Sequence, residues 1–329
     1  MKSKRQSQVS HKRVVLGEHV PLITPWVIYL EPSGYCNLRC CFCPQSAKKN
    51  GLKKGMMEAS LFRKLVSDLE KFPEKIKLLR ICGNGDPLMN NELLVMLGDK
   101  RLAGVFERIE LITNGIMLTG KLIKELPKCL TRVVFSVEGL SDEEYLRVCG
   151  VKVDFWGLVK KIRKFYQNRG NCRVHVKIHQ KAVETEERKR KFWDLFESWS
   201  DEIFIEKLVP MWPQFKANMV VDEFRWENCK VKKHLVCAQI FKGLQVQADG
   251  EVVPCCVDWK RVNVVGDIKK EAFRDIWNGK KLRELQIKHL KGKKVETEPC
   301  KGCTMNDFCE YDNIDLAAKD CLARLGGKE

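Results

Sequence analysis

The chain reads as an α/β protein: a partial (β/α)6 barrel followed by a smaller, cysteine-rich C-terminal domain. Three observations predict this. Strand-like apolar runs alternate with helical patterns six times between about residues 21 and 210, which implies a parallel sheet with right-handed crossovers. Six such units fall short of the eight that close a full barrel. Beyond Pro210 the alternation stops, and from Cys237 onward cysteines become dense.

Residues 1–20 are polar and basic and are expected to form a loose arm. The first strand runs from about Thr24 to Glu31 and feeds a cysteine loop. MEASLFRKLVSDLEKF follows, with Leu61, Leu65, Val66 and Leu69 on one helical face. KIKLLRICGNGDP is a strand ending in a glycine-bearing turn, and Leu93–Leu97 is helical. ERIELITNG and TGKLIKELP form the third unit, and TRVVFSVEG is the fourth strand. SDEEYLRV and FWGLVKKIRKFYQNRG are its helices. CRVHVKIHQ and TEERKRKFWDLFESWS make the fifth unit, and DEIFIEKLV is the sixth strand. Residues 211–236 bridge to a domain at 237–329. There GLQVQADGEVVPCC is a hairpin turning at Asp249-Gly250. EAFRDIWNG and KLRELQIKHLKG are helices, each closed by glycine. The tail from Pro299 has too few apolar residues to fold without a staple.

Composition narrows the class. No apolar run approaches the ~20 residues that cross a bilayer, and the basic N-terminus has no apolar core behind it, unlike a secretory signal. Sixteen cysteines without such a signal argue for a reducing, cytoplasmic setting and for metal or cluster binding rather than disulfides. The net charge of +17 attracts anionic partners. Aromatic residues do not alternate with the basic runs as a base-stacking platform requires, which weighs against nucleic acid.

The cysteine loop is Cys36-Asn-Leu-Arg-Cys40-Cys-Phe-Cys43, and it sits where barrel chemistry sits, after a strand's C-terminal end. Three thiols without a fourth ligand do not complete a zinc tetrahedron. They suit a [4Fe–4S] cluster with one open iron. The loop resembles that of the radical S-adenosylmethionine (SAM) enzymes, whose domains are six-unit, TIM-like partial barrels. The resemblance makes Cys36, Cys40 and Cys43 the ligands of a [4Fe–4S] cluster that chelates SAM, places the aromatic Phe42 beside SAM, and leaves Cys41 a spectator.

Further segments carry the same resemblance. Gly83-Asn84-Gly85-Asp86-Pro87 resembles the family's GGEP segment, which contacts the SAM amino group; Asp86 stands where glutamate is usual. Ser136 and Glu138, two apart on a strand and so on one face, resemble residues near the SAM ribose. Asn114 lies in a TNG that lines the cleft, and Arg147 resembles an arginine that pairs with the SAM carboxylate. His175 and His179 share a strand face, either as core histidines or as cavity groups.

Gly250-x4-Cys255 and Cys300-x2-Cys303-x5-Cys309 resemble the SPASM domain that follows many such barrels. Asn313 stands where a full SPASM domain keeps another cysteine, so the resemblance implies one auxiliary iron–sulfur cluster, of [4Fe–4S] type, rather than two. Two ligand sets compete: the twitch-like Cys237, Cys255, Cys300 and Cys303, which we prefer, and Cys300, Cys303, Cys309 and Cys321. Zinc would suit the CxxC pair as well. Asp258 is a candidate base for proton removal. The implied activity is reductive cleavage of SAM to a 5′-deoxyadenosyl radical that takes hydrogen from a C–H bond. The substrate would be a sugar- or nucleotide-linked small molecule or a peptide, with a low-potential donor such as flavodoxin or ferredoxin as partner. A zinc-stabilised, basic nucleic-acid-binding protein is the competing reading; it leaves the glycine turn and the Ser136–Glu138 segment without a purpose.

Overall fold

A computed structural model describes residues 3–5, 14–47, 51–209, 212–217, 234–303, 305 and 312–326. Six strands follow the predicted order: β2 (Val27–Leu30), β3 (Leu78–Ile81), β4 (Ile109–Thr113), β5 (Arg132–Val137), β6 (Arg173–His179) and β7 (Glu202–Glu206). All neighbouring pairs among them are parallel. The helices Ala59–Leu69, Gly120–Cys129, Phe155–Gln167 and Glu186–Phe196 cover the outer face. Thr119, Ser141, Asp154 and Thr185 each accept a backbone N–H at a helix start, satisfying donors that have no partner within the helix.

Two features depart from the expected layout. β1 (Lys4–Arg5), inside the arm expected to be loose, lies parallel to β7 with Lys4 opposite Glu202. Arg5 secures it through Glu197 at 2.9 Å and the Trp193 ring at 4.5 Å. At the other edge, β8 (Gly243–Val246) pairs in parallel with β2, and β9 (Glu251–Val253) and β10 (Gly266–Asp267) continue antiparallel. One ten-stranded sheet therefore runs β1-β7-β6-β5-β4-β3-β2-β8-β9-β10. The hairpin turns as expected, with Gly250 at φ 90°, a region open to glycine.

Strand alternation sorts two layers. Leu79, Leu111, Val133, Phe135, Val174 and Val176 are fully buried in the helix-facing core. The opposite face carries an ion-pair ladder across the barrel floor. Arg80 meets Glu110 at 2.7 Å, Glu110 meets Arg132 at 3.1 Å, and Arg132 meets Glu202 at 3.1 Å. His175 joins it, taking a bond from Arg132 at 2.5 Å, so it belongs to the floor. Burial costs these charges hydration, and the register of directly opposed partners offsets it.

A second apolar cluster unites Leu16, Val20, Val236, Phe241, Leu322 and Leu325. The end of the tail thus packs on residues 16–22.

Candidate active site

The Cys36–Cys43 loop leaves β2 and lies against the helix Asp142–Cys149. Arg39 N donates to Cys149 O and Cys41 N to Val148 O, both at 2.9 Å. That edge-on contact is the visible role of Cys41. Cys40 is buried, and its Sγ lies 3.5 Å from Cys149 Sγ. Cys36 Sγ receives Leu38 N at 3.4 Å, and Asn114 Nδ2 lies 3.9 Å away. Burial pushes the Cys36 thiol up to about 12 and the Cys43 thiol up to about 11, and metal binding would displace those protons. Among the described residues no three His, Cys, Asp or Glu side chains converge as single-ion ligands do. Cys36, Cys40 and Cys43, three thiols on one loop, fit a cluster with an open iron.

The glycine turn packs beneath this loop. A Cβ on Gly85 would fall 2.2 Å from Ser33 O, so only glycine permits the approach. Asn84 N donates to Glu31 Oε2 at 2.7 Å, and Asp86 N donates to Tyr35 O at 2.9 Å. Asp86 departs from the expected cofactor contact. Its buried carboxylate accepts Leu88 N, Thr113 Oγ1 and Asn114 N at 2.8–2.9 Å, tying β3 to β4. Asn114 is likewise occupied, donating to Asn37 Oδ1 at 2.8 Å. Arg147 is exposed near the end of its helix and does not reach the cavity described next.

That cavity, of about 590 Å³, lies above the ionic floor at the C-terminal strand ends. Phe42, Cys43, Ser136 and Glu138 line one side. Burial raises the Glu138 carboxyl to about 7. His179 stands beside it, with Nε2 3.9 Å from Glu138 Oε2 and its ring edge-on to Phe42 at 5.4 Å. Burial lowers His179 to about 4, so it is neutral. The pair Lys177–Glu206, at 2.5 Å, completes the polar wall. Trp212 and Phe215 also line the chamber, on a segment anchored where Trp259 Nε1 donates to Pro213 O at 2.8 Å. Sequence reasoning missed Tyr29, Arg80, Lys177 and Glu206, which also line it and come from four different strands. Cys82 and Cys256 line it too.

A second, smaller cavity lies one residue away. Cys237, Cys255, Cys300 and Cys303 line it together, brought there from three segments. Burial first, then the neighbouring Cys237 and Cys303 sulfurs, push Cys300 up to about 12. Four cysteines lining one cavity suit an iron–sulfur cluster. Cys321 is not brought there. It sits in the cluster around Leu16, with Sγ 3.4 Å from Gly17 O. Cys309 lies outside the described residues. Asp258 lines this smaller cavity, not the large one, and its carboxylate accepts Val262 N and Asn263 N at 2.9 and 2.8 Å. The structure thus gives Asp258 the role of a turn cap instead of placing it as a base beside a substrate in the large cavity.

Comparison with known proteins gives this geometry a family. Residues 30–187 match the radical SAM superfamily model, and residues 237–304 match SPASM, an iron–sulfur cluster-binding domain. The tungsten-containing aldehyde ferredoxin oxidoreductase cofactor-modifying protein of Pyrococcus furiosus is 24% identical, over 90% of this chain and 94% of that protein. The S-adenosyl-L-methionine-dependent 2-deoxy-scyllo-inosamine dehydrogenase of Niallia circulans is 22% identical, over 84% and 92%. The fold is shared with BtrN in complex with AdoMet and 2-DOIA, at TM-score 0.55 and 19% identity over 84% of this chain and 92% of that one. It is shared also with anSMEcpe with bound AdoMet, at TM-score 0.60 and 15% identity over 92% and 93%. The chain belongs to the radical SAM superfamily, as an enzyme whose partial barrel is joined to a C-terminal SPASM iron–sulfur domain.

Proposed function

We propose that Cys36, Cys40 and Cys43 hold the SAM-chelating [4Fe–4S] cluster, and that the enzyme removes hydrogen from a C–H bond of a small polar substrate. When bound, the cluster and SAM supply one-electron cleavage to methionine and a 5′-deoxyadenosyl radical. The chain's own residues do the rest. The Gly83–Gly85 backbone and the wall of Phe42, Ser136 and Glu138 position SAM. Lys177, Glu206 and neutral His179 offer hydrogen bonds to substrate hydroxyl or anionic groups. Trp212 and Phe215 keep out water, which would otherwise quench a reactive intermediate.

One observation carries this reading: the large cavity joins Cys43 of the loop, the Ser136–Glu138 segment and a polar wall in one chamber. Its volume falls in the range of small-molecule sites, roughly 300–1,000 Å³. That favours a sugar- or nucleotide-linked molecule, in keeping with the charge of +17 and with the aminocyclitol dehydrogenase among the relatives. Cys237, Cys255, Cys300 and Cys303 hold one auxiliary cluster, of [4Fe–4S] type, one residue behind the wall formed by Cys256. The division at residues 21–210 and 237–329 serves this arrangement. An acidic flavodoxin or ferredoxin, drawn by the positive surface, supplies the electron.

Anaerobic reconstitution tests the proposal. The wild type is expected to be brown and to release 5′-deoxyadenosine from SAM under reduction, and Cys40→Ala is expected to release none. Release that persists in Cys40→Ala, or a colourless protein carrying zinc, overturns it. The zinc-stabilised nucleic-acid reading would be adopted on the second outcome.

A further inference from the structure

We infer that Arg261 is a positioning residue that couples the auxiliary-cluster loop to the turn receiving SAM. It lies in the loop after β9, shortly beyond Cys255 and Cys256. Its backbone has φ 56°, where residues with a Cβ are uncommon, yet its side chain is only 2% exposed. The guanidinium meets Asp249 at 2.5 Å and Glu251 at 3.2 Å, both on the β8–β9 hairpin. Its other nitrogen lies 3.5 Å from Glu31 at the end of β2.

Glu31 is wholly buried, and it is where the two halves of the molecule meet. Its carboxylate accepts Asn84 N at 2.7 Å. The Gln247 amide, oriented to satisfy both groups, donates to the same carboxylate at 2.9 Å. A Cβ on Gly83 would fall 2.5 Å from Glu31 Cγ, so this side chain packs directly under the glycine turn. Two contacts thus lead from the Cys255 loop, through Arg261 and Glu31, to the Asn84 amide. Arginine suits the task because its rigid fork serves several carboxylates at once. Burying that charge at an unfavourable φ is costly; a role confined to filling space would not require it.

The inference rests on the reading that the Gly83–Gly85 turn binds SAM, and the test separates the two. Equilibrium binding of SAM is measured on anaerobic, cluster-loaded protein, with iron content and thermal stability alongside. Arg261→Gly relieves the backbone and removes the guanidinium. Glu31→Gln keeps an acceptor for Asn84 N and removes the charge. Each is expected to weaken SAM binding by about fivefold or more with iron retained, within the range of site-to-site coupling. The double variant is expected to be no weaker than the worse single one. Should Arg261→Gly fail to fold, Arg261→Lys, which keeps the charge and loses the fork, reads the same quantity. Unchanged binding in the variants, or additive losses, overturns the coupling alone. A wild type that binds no SAM overturns the functional reading instead.

Discussion

Glu138 shows how much a single position adds to a motif. Its place was legible in sequence, since Ser136 and Glu138 alternate onto one strand face. Its electrostatics was not, because these depend on which groups the barrel brings near. Burial holds the folded-state carboxyl at about 7, above the ordinary value of 4.5. Its contribution to stability is therefore best below pH 4.5 and is lost as pH rises toward 7. Glu138→Gln is expected to match the wild type near pH 4.5 and to be more stable at pH 8, by at most about 3 kcal/mol. Denaturant midpoints at the two pH values check this; an equal difference at both would mean that the carboxyl titrates alike in the folded and unfolded states. Lys177 and Glu206, by contrast, carry no local signal. Nothing within β6 or β7 tells a cavity lysine from one that faces solvent.

Among the elements, the β3–β4 junction gives the clearest lesson. GNGDP was recognisable as a glycine turn at a strand end, and the backbone approach at Gly85 agrees with that. The fold uses the Asp86 carboxylate as a clamp. Asp86 gathers donors from Leu88, Thr113 and Asn114, residues up to 28 positions away. Asp86→Ala is expected to cost about 2–4 kcal/mol, since it leaves buried N–H groups unpaired. Asp86→Asn, which retains one acceptor oxygen, is expected to lose less. Urea titration of both variants measures the difference, and equal losses would show that the clamp needs charge rather than an acceptor.

For the whole molecule, the question is which cysteines meet. Cys300 and Cys303 face Cys237 and Cys255, whereas Cys321 packs near Leu16. Cys300→Ala is expected to lose the auxiliary iron and keep the radical-site iron. Cys321→Ala is expected to keep both and to lose a small amount of stability through its packing. Iron and sulfide analysis separates them; iron loss in Cys321→Ala would restore the competing ligand set.

Contiguous residues alone determined the alternation of strands and helices, the hairpin at Asp249-Gly250 and the CxxxCxxC loop at a strand end. Periodicity, turn chemistry and ligand spacing are all set within a few residues, so they can be read without the fold. Only tertiary structure decided that β8 would join β2 in one sheet, that Asp86 would gather donors from Thr113 and Asn114, and that Arg261 would lie against Glu31. Those outcomes depend on charges and hydrogen-bonding groups from distant segments becoming buried together, where a low dielectric makes each partner decisive.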